Sequence, residues 1–225
     1  MELPVVKIGD LITKLPIIQG GMGVGVSFSG LASAVANEGG SGGIATAMIG
    51  MNEPNIASSP KEADMRALRK EIRQARKNTD GILGVNIMVV LTNYPELVKT
   101  AIDEHIDIIF SGAGLPLDLP KYLREAMRPK LVPIVSSGRA ATLLCKKWSR
   151  FQRLPDAFVV EGPLAGGHLG LKLEQIRDPN FALEKLVPEV IAAVRPFEEE
   201  YHAAIPIIAA GGIYTGADIY KFLHL

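Results

Sequence analysis

Seven short apolar runs alternate along the chain with longer stretches in which apolar residues recur every three or four positions. The short runs lie at 15–19, 43–47, 82–88, 106–110, 132–136, 157–160 and 206–210, and most lead into glycine- or serine-containing turns. Short apolar runs bounded by turn residues predict buried parallel strands. The intervening stretches predict helices at 29–37, 60–77, 95–104, about 120–127, 139–153, 182–201 and 215–223. Ser29 is placed to cap the first helix, Gly39-Gly40 to stop it, and Ser59-Pro60 to open the second. Pro188 or Pro196 is expected to interrupt the helix at 182–201, because proline removes an amide donor and crowds the preceding turn. Residues 49–59 read as an irregular loop, and Glu62, Arg66, Lys70 and Arg73 as a solvated helix face.

Strand-then-helix units in strict alternation predict an α/β fold with a parallel sheet. A doubly wound sheet gathers its ligand glycines near one switch point. Here glycines follow the first, fourth, sixth and seventh predicted strands, which fits a TIM (β/α)8-type barrel whose βα loops converge on one face. The expectation is one domain over residues 1–225, an incomplete barrel of seven βα units in which the eighth strand is absent. Lys+Arg and Asp+Glu both number 24, so the chain carries no basic footprint for nucleic acid or an acidic membrane. The single cysteine, Cys145, excludes an internal disulfide framework, and its helical, leucine-flanked setting predicts a buried, inert thiol. No signal peptide and no membrane-length apolar stretch is read, and the cytoplasm is the expected compartment.

The stretch Glu161-Gly162-Pro163-Leu164-Ala165-Gly166-Gly167-His168-Leu169-Gly170 concentrates the candidate chemistry. Its glycines let backbone approach a flat ligand, and its one imidazole can exchange protons near neutral pH. His168 is therefore the candidate acid–base residue, whereas His105, His202 and His224 lack such a setting and read as structural or solvent-facing. No histidine pair has metal-ligand spacing. Gly211-Gly212, after the seventh predicted strand, sits where barrels commonly bind phosphate on backbone amides. The glycine-rich stretch at 20–25 could let a cofactor ring lie on backbone, but residues 44–47 end the next strand without the acid that a dinucleotide site needs. Asn86 is the sole amide in its apolar strand and must find partners, either backbone groups or the polar edge of a ring.

Taken in order, Ile17-Ile18-Gln19-Gly20-Gly21-Met22-Gly23, Gly84-Val85-Asn86, Ala165-Gly166-Gly167-His168 and Ala209-Ala210-Gly211-Gly212-Ile213 resemble the nitronate monooxygenase family. That family was formerly called the 2-nitropropane dioxygenases and includes the FMN-dependent enoyl-acyl-carrier-protein reductases. The resemblance implies a barrel holding FMN without a covalent link. It implies that Gly21, Met22 and Gly23 line the flavin through their backbone and that Asn86 hydrogen-bonds it. It further implies that Ala165, Gly166 and Gly167 pass beside its ring, that Gly211 and Gly212 hold its 5′-phosphate, and that His168 faces the substrate. The implied activity is oxidation of nitronates or nitroalkanes with dioxygen. The alternatives are reduction of an enoyl thioester with NAD(P)H, or a flavin- or phosphate-binding module without turnover. Two departures stand out. Leu164 occupies a position where the family usually has an acid, and the family's eighth strand, which supplies the other half of the phosphate site, is missing. The expectation is thus of a truncated enzyme with open barrel edges available for self-association.

Overall fold

The computed structural model describes residues 3–123 and 129–225. An antiparallel hairpin, β1 (Val6–Ile8) and β2 (Leu11–Thr13), comes first. There follow α1 (Ser29–Asn37), β3 (Gly42–Ala45), α2 (Pro60–Asn78), β4 (Leu83–Met88), α3 (Tyr94–Asp103) and β5 (Ile108–Gly112). The chain continues through β6 (Lys130–Val135), α4 (Gly138–Trp148), β7 (Phe158–Glu161), α5 (Leu183–Tyr201), β8 (Ile207–Ala210) and α6 (Gly216–Phe222). The six strands β3 to β8 form one parallel sheet in sequence order. In-order pairing leaves no switch point, so the doubly wound alternative is excluded and the sheet is that of an incomplete barrel.

Because strand side chains alternate, the sheet separates two cores. Outward residues such as Leu83, Val85, Ile87, Ile109, Leu131, Phe158 and Val160 pack with Leu68, Ile72, Leu97, Leu144, Trp148 and Val190 of the helices. Inward residues Ile108, Phe110, Val132, Ala157 and Val159 form a second cluster, and Ile8 of the hairpin is fully buried among them. The hairpin is thus the floor of the barrel, tied down by Asp10 and Lys130, whose Oδ1 and Nζ lie 2.5 Å apart. At the same end, Asp107 accepts the Leu83 amide while pairing with Arg76, and Asp156 accepts the Leu131 amide while pairing with Arg153. Each of these aspartates sets the start of the strand before its own.

Several expectations are corrected. The run at 15–19 is not a strand but makes a single parallel bridge, Ile18 to Ser41. Pro16 lacks an amide, and beyond the bridge the Gln19 side chain replaces backbone pairing, donating to Gly43 O and accepting from Gly43 N. Ser29 does not cap α1; Phe28 holds that position, and the Ser29 amide instead donates to Glu71. Helix α5 runs unbroken through Pro188 and Pro196. Both prolines lie on its exposed side, where water can satisfy the freed carbonyls while Leu186, Val187, Val190 and Val194 anchor the buried side. Of the helix expected near 120–127, a 3-10 turn covers Leu119–Tyr122, and residues 124–128 lie outside the described residues.

Ile8→Ala should destabilise the protein by about 2–5 kcal/mol, the usual range for emptying a large buried aliphatic site. Urea denaturation checks this, and a loss near zero would mean that the hairpin does not plug the barrel.

Candidate functional site

The βα turns gather at the C-terminal end of the sheet. After β7 the chain turns sharply, with the Ala165 amide donating to Gly162 O, and arcs back so that Gly170 meets the Ser136 side chain just beyond β6. His168 stands exposed on this arc and makes no hydrogen bond among the described residues. A Cβ built on Gly166 or Gly167 would meet nothing within 4 Å, so both present bare backbone to open space. Gly211 and Gly212 differ. Their φ angles are 99° and 75°, and a Cβ there would approach the Ala165 amide to 2.7 Å and Leu164 to 2.9 Å. These glycines are required by the fold, since only glycine accepts both the left-handed backbone and the contact. The amides of Gly211, Gly212 and Ile213 donate to no acceptor among the described residues. A cleft of about 110 Å³ beside them is lined by Leu164, Glu184, Asp218 and Lys221.

The first glycine-rich loop lies over β3 and β4. Gly21 packs directly on Asn86, where a Cβ would sit 2.5 Å from that of the asparagine, and Gly23 packs on Ala47. The Val24 amide donates to Ala47 O, holding this loop to the one after β3. Met22 is exposed at the rim. The Asn86 side chain is half-buried and has no hydrogen-bond partner among the described residues, while Thr46 takes its backbone carbonyl. The expected site residues therefore form two groups at one end of the sheet: Gly21, Met22, Gly23 and Asn86 over β3 and β4, and Ala165, Gly166, Gly167, His168, Gly211 and Gly212 over β7 and β8. A bare glycine backbone, an unpartnered amide and three free N–H groups are chemistry that could hold a flat, phosphate-bearing cofactor.

One further residue belongs here. Glu161 ends β7 in register with Ala210. By alternation from Val159, its side chain lies on the inner face of the sheet. Burial pushes its carboxyl group up to about 7. It was overlooked because a lone acid at a strand end resembles any other turn residue; the available signal was its i, i+2 parity with inward Val159. Cys145, by contrast, is fully buried in α4, and burial pushes its thiol up to about 12, as an inert cysteine requires.

Residues 6–225 match the nitronate monooxygenase family. The chain belongs to that family. It is 28% identical over 201 residues to a Mycobacterium tuberculosis (3aS,4S,5R,7aS)-5-hydroxy-7a-methyl-1-oxo-octahydro-1H-indene-4-carboxyl-CoA dehydrogenase, covering 89% of this chain and 46% of that protein. Among solved structures it resembles FabK from Thermotoga maritima at 31% identity and a TM-score of 0.65, covering 91% of this chain and 53% of that one. It shares the fold of a nitroalkane oxidase from Streptomyces ansochromogenes at 22% identity and a TM-score of 0.70, covering 94% and 63%. The chain thus spans about half the length of these curated relatives. The family is one of FMN-dependent oxidoreductases, and FMN is its cofactor. Among the described residues no helix is long and apolar enough to cross a membrane.

The raised Glu161 pKa has a consequence for stability. Between its unfolded value and about 7 the folded protein holds a proton that the unfolded chain releases, so stability falls as pH rises through that window. Glu161→Gln removes this term. The variant should match the parent near pH 4 and exceed it in chemical denaturation at pH 8. Equal stability at both pH values would show that Glu161 is solvated.

Proposed function

We propose that this chain carries the flavin-binding part of an FMN-dependent oxidoreductase that oxidises nitronates or nitroalkanes with dioxygen. The observation that carries the reading is the turn after β7, where bare Gly166-Gly167 backbone precedes an exposed imidazole. In this reading Gly21, Met22, Gly23 and Asn86 flank one side of the ring, and Ala165, Gly166 and Gly167 the other. The free amides of Gly211 and Gly212 receive the phosphate. FMN held there would supply the redox chemistry between substrate and dioxygen. The protein supplies placement and a base: His168 removes the proton from the carbon bearing the nitro group. A cytoplasmic setting goes with this reading, supported by the single buried thiol.

A second reading has its own support. The likeness to FabK is 31% in identity against 22% for the nitroalkane oxidase, and another relative's name is that of an acyl-CoA enzyme. Reduction of an enoyl thioester with NAD(P)H is therefore the alternative. Anaerobic mixing separates the two. Flavin bleaching by a nitronate but not by NADH or NADPH supports the monooxygenase, and rapid bleaching by a nicotinamide supports the reductase.

His168→Ala should lose on the order of 10²–10⁴-fold on a neutral nitroalkane while keeping FMN, and far less on a preformed nitronate. An unchanged rate on the neutral substrate would remove His168 from this role. Gly166→Val should leave folding stability within about 0.5 kcal/mol, since open space surrounds that position, yet lower FMN content after desalting. Full flavin occupancy in the variant would count against the ring's placement.

A further inference from the structure

Glu161 stands in the mouth of the barrel with no hydrogen-bond or ion-pair partner among the described residues. Its strand neighbours bring no charge: Ser136 follows the end of β6, and Ala210 pairs with Glu161 on β8. The residue after Ala210 is Gly211, whose amide is free. The other charged groups at this corner come from α5 and α6. Lys221 is already paired with Glu184. Asp218 is engaged by the Tyr214 and Thr215 amides and the Thr215 hydroxyl. His168 is exposed on the turn that follows Glu161 itself. The cleft beside Gly211 and Gly212 thus holds two carboxyl groups and one amine, that amine engaged, and Glu161 stands across the strand pair at Ala210, the residue before Gly211.

We propose that Glu161 couples flavin binding to protonation: its neutral carboxyl group admits the phosphate-bearing ligand, and its ionised form opposes it. The inference rests on the FMN reading above. A dianion placed beside Ala210 and Gly211 lies one strand pair from Glu161, and Lys221, the cation lining the cleft there, is already paired with Glu184. Burial holds the carboxyl group neutral to near pH 7, so the change falls within the working range of a cell. By linkage, ligand binding must then raise proton uptake at Glu161 as much as protonation favours the ligand.

The test is the FMN dissociation constant, measured by flavin fluorescence from pH 5.5 to 8.5, in the parent and in Glu161→Gln. The amide keeps the shape of the neutral acid and cannot ionise. The parent should bind on the order of tenfold more weakly at the alkaline end, beyond the titration of the ligand's own phosphate. The variant should follow the phosphate titration alone and match the parent's affinity at pH 5.5. Glu161→Ala, which also cannot ionise, should show the same loss of slope and serves if the glutamine variant fails to fold. Parallel pH profiles in parent and variant overturn the coupling while leaving the flavin site intact. No FMN binding by either protein at any pH overturns the flavin reading and the coupling together.

Discussion

Each strand of the main sheet pairs with its neighbours in sequence, and this in-order parallel ladder is the constraint on which the rest of the molecule depends. Right-handed crossovers applied repeatedly in one direction place every helix on the same side of the sheet. The other side must then bury its apolar residues against itself and against the β1–β2 hairpin, which is why two separate cores exist. The same ladder sends all the βα turns to one end. Residues far apart in sequence, such as Asn86 and His168, reach a common face without any direct contact having to hold them there.

At that face the glycines divide by what their missing side chains make room for. Gly21, Gly23, Gly211 and Gly212 accommodate other parts of the protein: Asn86, Ala47, Ala165 and Leu164. Replacing any of these would disturb packing before it touched a ligand. Gly166 and Gly167 accommodate nothing in the chain itself, although Gly167 also has a positive φ of 83°. Gly166 has no positive φ either, a condition it shares with Gly20, Gly30 and Gly216, so it is its place on the turn after β7, beside His168, that sets it apart. The distinction cannot be read from composition, because glycine looks the same in the sequence whether its neighbour is a side chain or a ligand.

The helices and the parallel strands were legible because their periodicity is long enough to repeat. α2 and β4 appear close to where apolar spacing puts them. The hairpin was missed because each of its strands has three residues, although Gly9-Asp10 between two alternating triplets is a hairpin signal. The first strand was overread because the apolar content of Leu15, Ile17 and Ile18 says nothing of the amide that Pro16 lacks. The prolines of α5 were read locally as breaks, whereas their cost depends on which side of the helix faces water, a tertiary property. In the site, Asn86 and His168 stood out by type. Whether Asn86 is satisfied internally could not be decided until its neighbours were known, and it is not.

The position of the acid bears on the chemistry. Where the family usually carries a carboxylate on the turn, this chain has Leu164, which is 68% exposed and leans on Gly212. The carboxyl group present is three residues earlier, at the strand end and on the inner face. An acid on the exposed turn would be solvated, ionised at neutral pH and worth little beyond local charge. One on the inner face loses water, holds its proton to near neutrality, and can act as a hydrogen-bond donor where an ionised group could only accept. The exposed turn therefore carries no carboxylate, and the carboxyl group beneath it stays neutral to about pH 7. With Leu164 unable to hold a proton, the titratable side chains flanking this turn are His168 above and Glu161 below the same four residues of backbone, Gly162 to Ala165, that carry Gly166 and Gly167 into the open.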